Sequence, residues 1–339
     1  MTPSADPLAL GARLAESAGL AQALRVEPLP GGRNNRVFRL DLSDGRSAAL
    51  KIYFRHPGDA RDRLGAEWDF LQHARRFAPG SAPAPLARDA TAGAALYGFV
   101  EGSRFSPDEI DAAAVASAAA FIRKVASPGA AQDLRIASEA CFSINDHVEA
   151  VERRVGRLET IDAQAPQTAE AARFVRDSVR PAWERLRDEA FEKCRACGVD
   201  PESPIDDADI IASPSDFGFH NALRTADGCV FLDFEYAGRD DPAKLVCDFL
   251  CQPELPVAAA HHAQFLAEVL DRQGLGRHRE RVSLLLDCYR IKWVAIILND
   301  FLAVGAERRD FAKLEDPEKR RLRQLALARA RLDALALNN

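Results

Sequence analysis

Residues 221–235 read NALRTADGCVFLDFE, two apolar, strand-like runs on either side of Asp227-Gly228. Asp-Gly between such runs is the strongest short hairpin signal, and a hairpin forces its two ends together. Counted outward from a turn centred on Asp227, Asn221 falls opposite Asp233; a two-residue turn on Asp227-Gly228 shifts that pairing by only one. Facing residues of a hairpin have Cβ atoms about 5 Å apart. An amide oxygen and a carboxylate at that separation suit one hard, oxygen-seeking cation such as Mg2+. Asp216, in the preceding SPSDFGFHNAL, sits in a loop free of strand pairing and so can face the same opening. Glu235, two residues past Asp233, offers a second carboxylate on the same side if the strand continues. Acids in such apolar company are costly to bury and need a reason.

Phosphoryl transfer supplies one. It needs metal to gather phosphate charge and a carboxylate to orient and deprotonate the attacking hydroxyl. Asp-x4-Asn followed by Asp-Phe-Glu has the spacing of the catalytic and metal-binding loops of kinases. Asp-x4-Asn also arises often by chance, and a solvated loop with incidental acids is the bland alternative.

The N-terminal third bears on that choice. VFRLDLSDGRSAALKIY at 37–53 is a second hairpin pattern around Asp44-Gly45, with Phe38, Leu40 and Leu42 on one face and Leu50 and Ile52 on one face of the return strand. Lys51 lies inside that apolar run, where it is unexpected unless paired. Kinases use such a lysine against the α- and β-phosphates, held by a helical glutamate; protection of an edge strand is the alternative. The helical pattern 61–77, with Leu64, Trp68, Leu71 and Ala74 on one side, offers Glu67 as partner, with Asp62 and Asp69 competing. Gly31-Gly32 and Asn34-Asn35 precede the first strand. A glycine-rich turn there lets backbone N–H groups approach phosphate oxygens, or is a plain turn.

SAPAPLARDATAG reads as a loop and ALYGFVEG at 95–102 as a strand ended by Gly102. From about residue 105 the patterns turn helical, including 146–160, 168–197 with a break or kink at Pro181, and an apolar, buried 287–301. The reading is an α+β chain in two lobes: residues 1–102 as a small antiparallel-sheet, nucleotide-binding lobe, and 103–339 as a mainly helical catalytic and substrate-binding lobe.

The 339 residues suffice for one large domain or two lobes. A net charge of −6 argues against nucleic acid as partner. No basic-then-apolar leader opens the chain, and the longest uncharged apolar run, AAAVASAAAFI at 112–122, is too short to span a bilayer; a cytoplasmic protein without membrane partners is expected. Seven cysteines lack framework spacing. Cys194 and Cys197 continue an apolar helical stripe from Val175 through Trp183 and read as buried helix residues rather than a zinc site.

In chain order, GGRNNRVFRL, AALKIYF, LYGFVEG, SDFGFHNAL and FLDFEYAGRDDPAKLVCDF resemble the aminoglycoside phosphotransferase/choline kinase-like family, a branch of the protein-kinase-like fold, over roughly residues 25–250. The resemblance implies the bilobal kinase-like architecture, ATP (or GTP) and Mg2+ as cofactors, and a hydroxyl acceptor among sugars, amino alcohols and aminoglycoside-like compounds. It implies Asp216 as catalytic base, Asn221 and Asp233 as Mg2+ ligands with Glu235 beside them, and Lys51 on phosphate with Glu67 as partner. Gly31, Gly32 and Asn34 would lie near phosphate, and backbone at Phe99, Val100 and Glu101 would meet adenine. The family usually has His-Gly-Asp where this chain has Pro214-Ser215-Asp216, so the loop must be buttressed differently; the alternative is a degenerate nucleotide-binding module without transfer activity. His220 reads as a loop-packing or hydrogen-bonding residue rather than a replacement catalytic histidine. Tyr236, Arg239, Asp240 and Asp241 follow the metal loop and could line the acceptor side, although Asp240-Asp241-Pro242 reads better as a helix N-terminal cap. By the same analogy Tyr289, Trp293, Asn299 and Asp300 could face the acceptor, with Trp293 more often core. No segment ending in Ala-Pro-Glu follows residue 242, which disfavours a protein kinase.

Overall fold

The computed structural model describes residues 6–29, 35–56, 58–127, 129–303 and 316–336. The chain opens with α1 (Pro7–Ser17), capped by Asp6, whose carboxylate accepts from Leu8 N–H. Strands β1 (Ala23–Pro28), β2 (Arg36–Leu42) and β3 (Ser47–Ile52) follow. Asp41 pairs with Ser47 across the β2–β3 turn, where Gly45 takes φ 83°, a left-handed conformation that glycine adopts without steric cost. Helix α2 (Arg63–Phe77), β4 (Pro85–Asp89) and β5 (Ala94–Gly98) complete the lobe. The antiparallel sheet runs β1-β2-β3-β5-β4, so Lys51 is on the central strand, between Val37 and Ala95. That removes the edge-protection reading of Lys51. The segment expected as a loop holds β4; Pro85, which has no N–H to donate, sits on this edge strand, where a missing donor is tolerated.

Leu10 and Leu14 of α1 bury against Phe38, Leu40, Leu42 and Leu50. Tyr53, Leu64, Phe70, Leu71 and Tyr97 instead join a core continuous with the second lobe.

That lobe contains β6 (Ser103–Arg104), α3 (Ala112–Val125), α4 (Ile144–Leu158), α5 (Ala169–Phe174) and α6 (Arg180–Cys197). A single π-helical stretch, Val175–Val179, joins α5 to α6 just ahead of Pro181, the expected site of disruption. Cys194 is buried as expected, whereas Cys197 is exposed, because the buried stripe Trp183, Leu186, Ala190, Cys194 has rotated away from position 197. Short strands β7 (Ile211–Ser213), β8 (Ala222–Thr225), β9 (Gly228–Phe231) and β10 (Gly238–Asp240) lead into α7 (Pro242–Cys251), α8 (His262–Val269), α9 (Arg279–Ile297) and α10 (Pro317–Ala336). β6 adds to the β8–β9 hairpin and β10 pairs with β7. A Cβ at Gly238 would lie 2.5 Å from the Ala137 N and Arg135 O atoms, so only glycine lets the 135–141 segment lie on β10.

A run of aromatic rings fixes the loops between these strands. Phe217 lies 4.8 Å from Phe231 and 5.4 Å from Phe249, and Phe234 lies 4.7 Å from Phe70 of α2. Asp216 and Asp233 are thus each followed by a buried ring that anchors their backbone. Among the described residues, no helix is long and apolar enough to cross a membrane.

Candidate active site

The β8–β9 hairpin turns one residue earlier than the sequence count. Thr225 pairs with Gly228 and Ala222 with Phe231, so the two-residue turn is Ala226-Asp227. Thr225 Oγ1 accepts from Asp227 N–H (3.2 Å) and donates to the Gly228 carbonyl (3.0 Å), closing the turn ahead of the Asp-Gly pair. Asn221 therefore stands opposite Leu232, whose N–H donates to the Asn221 carbonyl at 2.8 Å. Asp233 lies one step beyond, at φ 64°, which turns it off the strand line. Because β9 ends at Phe231, strand alternation does not carry Glu235 to the same side.

Asp233 instead meets Lys51. The Lys51 Nζ, nearly buried, donates to Glu67 Oε2 at 2.5 Å and to Asp233 Oδ1 at 2.6 Å. Glu67 is held in turn by Tyr53 OH (2.7 Å), which contacts Tyr97 OH at 2.6 Å. The competing acids are occupied elsewhere: Asp62 caps α2, and Asp69 pairs with Arg135 at 2.7 Å. Burial disfavours the Lys51 charge, but Asp233, Glu67 and Glu235 outweigh it and hold its pKa well above the usual lysine range.

Glu235 is buried and accepts from Asn35 Nδ2 at 2.7 Å, while Asn35 Oδ1 accepts from Phe54 N–H at 3.1 Å. Burial is overcome at Glu235 by Lys51, Arg63 and Asn35, which hold its pKa low. Burial, with Glu235 and Glu67 nearby, pushes Asp233 up against the pull of Lys51. The sequence reading missed Asn35: it singled out the adjacent Asn34, and nothing local distinguishes the two. Gly31, Gly32 and Asn34 lie outside the described residues.

Asp216 follows β7 with its side chain 33% exposed, open to an incoming group. The loop has its own buttress in place of the expected histidine and glycine. Ser215 takes the left-handed conformation (φ 65°). Its Oγ donates to the Tyr236 carbonyl at 2.9 Å, and its N–H donates to Ser213 Oγ at 3.2 Å. Asn221 Nδ2 donates to the Asp216 carbonyl at 3.0 Å, and His220 Nε2 hydrogen-bonds Asp216 Oδ1 at 3.1 Å.

Phe99, Val100 and Glu101 form the segment joining β5 to β6, with the Arg39 guanidinium 4.8 Å over the Phe99 ring. A Cβ at Gly102 would lie 2.7 Å from the Arg224 carbonyl, so this crossing lies tight against the hairpin. Asp241 is the N-cap of α7, accepting from Ala243 N–H at 2.7 Å, as its sequence suggests. Asp300 is buried and paired with Arg320 at 2.8 Å, and the Tyr289 hydroxyl is engaged by His147 at 2.7 Å, so both serve packing. Trp293 is half-buried, and its buried Nε1 has no hydrogen-bond partner among the described residues.

Three carboxylates (Glu67, Asp233, Glu235) gather around one lysine, and the Asn221 amide holds the loop of the partly exposed Asp216. The donor set is all oxygen and short of positive charge, which fits a hard divalent cation. A two-lobed kinase-like fold with this Lys–Glu pair and loop acid defines a phosphotransferase. The chain belongs to the phosphotransferase enzyme family, whose sequence model matches residues 25–285. Similar solved structures include a spectinomycin phosphotransferase in complex with ADP and spectinomycin (13% identity, 91% of this chain and 94% of that one, TM-score 0.57). A choline kinase from Streptococcus pneumoniae (16%, 94% and 96%, TM-score 0.57) is also similar. So is a putative fructosamine-3-kinase from Thermobifida fusca (15%, 93% and 98%, TM-score 0.54). No curated protein is significantly similar in sequence.

Proposed function

We propose that this protein is an ATP- and Mg2+-dependent small-molecule kinase that phosphorylates a hydroxyl of a sugar, amino alcohol or aminoglycoside-like compound in the cytoplasm. The observation that carries the reading is Lys51 Nζ, held at 2.5 Å by Glu67 and at 2.6 Å by Asp233. Residues 1–102 would bind nucleotide and residues 103–339 would supply the catalytic loop and the acceptor site.

In this reading Lys51 orients the α- and β-phosphates, and Glu67 keeps its ammonium in place. Gly31, Gly32 and Asn34 approach the phosphates, and the Phe99–Glu101 backbone meets the base. Asn221 and Asp233 would hold Mg2+, which when bound offsets the charge of the transferring phosphoryl group. Adding Glu235 to the metal set would require its bond from Asn35 to open. Asp216 accepts the proton of the attacking hydroxyl, and His220 and Asn221 fix the loop that presents it.

The test is a thermal-shift screen of hydroxyl compounds with and without ATP·Mg2+, followed by ADP-release assays on the hits. A native-state ligand raises apparent stability by mass action. The reading predicts magnesium-dependent ADP release with at least one hit; a broad panel that yields none contradicts it.

A further inference from the structure

A second cluster of charge lies next to the catalytic loop. The Tyr236 carbonyl accepts both from Ser215 Oγ (2.9 Å) and from Ser138 N–H (3.1 Å), so Asp216 and Glu139 each adjoin a residue bonded to the same oxygen. Glu139 is ion-paired with Arg154 of α4, whose buried Nε has no hydrogen-bond partner among the described residues. Arg61 and Arg63 stand 5.3 and 5.7 Å over the Tyr236 ring and both pair with the carboxylate of Asp59. Arg157, three residues beyond Arg154 on α4 and so on the same side of that helix, is exposed. Beneath them Lys244 and Lys292 are balanced by Asp240 and Asp248. Four guanidiniums therefore face Asp59 and Glu139, with Arg63 also drawn on by Glu235, whose main partners are Lys51 and Asn35; positive charge is in excess here in a chain whose net charge is −6.

Resting on the kinase reading above, we infer that the acceptor of this enzyme carries an anionic group, a carboxylate or a phosphate, received by Arg61, Arg154 and Arg157 around Glu139 while its hydroxyl faces Asp216. Guanidinium pairs are suited to such oxyanions, and the positive excess disfavours a cationic acceptor. Within the classes proposed above, this selects sugar acids and sugar phosphates over amino alcohols.

The anion site is tested apart from catalysis. With the nucleotide site filled by AMP-PNP·Mg2+, inorganic phosphate should bind saturably and raise Tm. Arg157→Ala should weaken that binding about tenfold, the order of one charge-assisted contact; Arg157→Glu should abolish it and Arg157→Lys should largely retain it. No binding by the wild type, or equal binding by wild type and Arg157→Glu, overturns the inference. A second arm compares magnesium-dependent ADP release with glucose, glucosamine, glucuronate and glucose 6-phosphate. A preference for glucuronate identifies a carboxylate and for glucose 6-phosphate a phosphate, whereas a preference for glucosamine overturns the inference. If none of the four releases ADP while phosphate binds as predicted, the anion site stands and the kinase reading is decided by the broad hydroxyl panel.

Discussion

Ser215 carries a conformation its side chain disfavours. A left-handed φ of 65° costs a non-glycine residue about 1–2 kcal/mol. The compensation is the Oγ bond to the Tyr236 carbonyl, which ties the Asp216 loop to the residues after Asp233. Ser215→Ala keeps the strain and loses the tie, so chemical denaturation should show a loss of about 1–2 kcal/mol. Ser215→Gly relieves the strain as it loses the bond and should be nearly neutral in stability. Both variants should lower kcat, because Asp216 is less well held. Asn35→Ala strips the buried Glu235 carboxylate of a donor and should cost about 1–3 kcal/mol in the same measurement. The Lys51–Glu67 pair was legible in part, because a lysine inside an apolar strand calls for a partner, although Asp62 and Asp69 competed with Glu67 for that place. The Asn35–Glu235 bond was not, since its partners are separated by 200 positions and each is unremarkable locally.

Between elements, the sequence count placed the hairpin turn one residue too late, because Thr225 can close a turn that ends before the Asp-Gly pair does. The edge strand β4 hid in a Pro/Ala-rich stretch, since an edge position tolerates what a central strand does not. Helix α4 meets α7 and α9 through a buried histidine: His147 Nε2 lies 3.2 Å from Asp241 Oδ2 and its Nδ1 lies 2.7 Å from Tyr289 OH. Burial opposes the charged imidazolium but is outweighed by Cys141 and by the bond to Asp241, which raise its pKa to about 9. A group raised in the folded state contributes fully below its unfolded value, near 6.5, and the contribution is lost as pH rises through 9. The span is worth about 3 kcal/mol. Thermal unfolding should thus show a stability decline between pH 6.5 and 9 that His147→Gln flattens. An unchanged alkaline slope in that variant would remove the ion pair from the account.

Over the whole molecule, the two lobes meet where the chemistry is assigned. Lys51 reaches Asp233, Asn35 reaches Glu235, and Phe70 of α2 packs on Phe234. Phe234→Ala should cost about 3–5 kcal/mol by leaving a cavity. It should also raise the Mg2+ concentration needed for activity, since the neighbouring Asp233 loses its anchor. The two-lobed α+β plan was readable from hairpin signals followed by helical periodicity. The contact between lobes was not, because it depends on side chains meeting across distant segments. The central claim is that Asp216 removes the acceptor's proton while Lys51, Asn221 and Asp233 serve the nucleotide and its metal. Measuring Asp216→Asn alongside the wild type, for ATP·Mg2+ binding by calorimetry and for phosphate transfer in a single turnover, tests it most directly. The account predicts unchanged ATP·Mg2+ affinity with transfer slowed about a hundredfold to ten-thousandfold; transfer at the wild-type rate would contradict it.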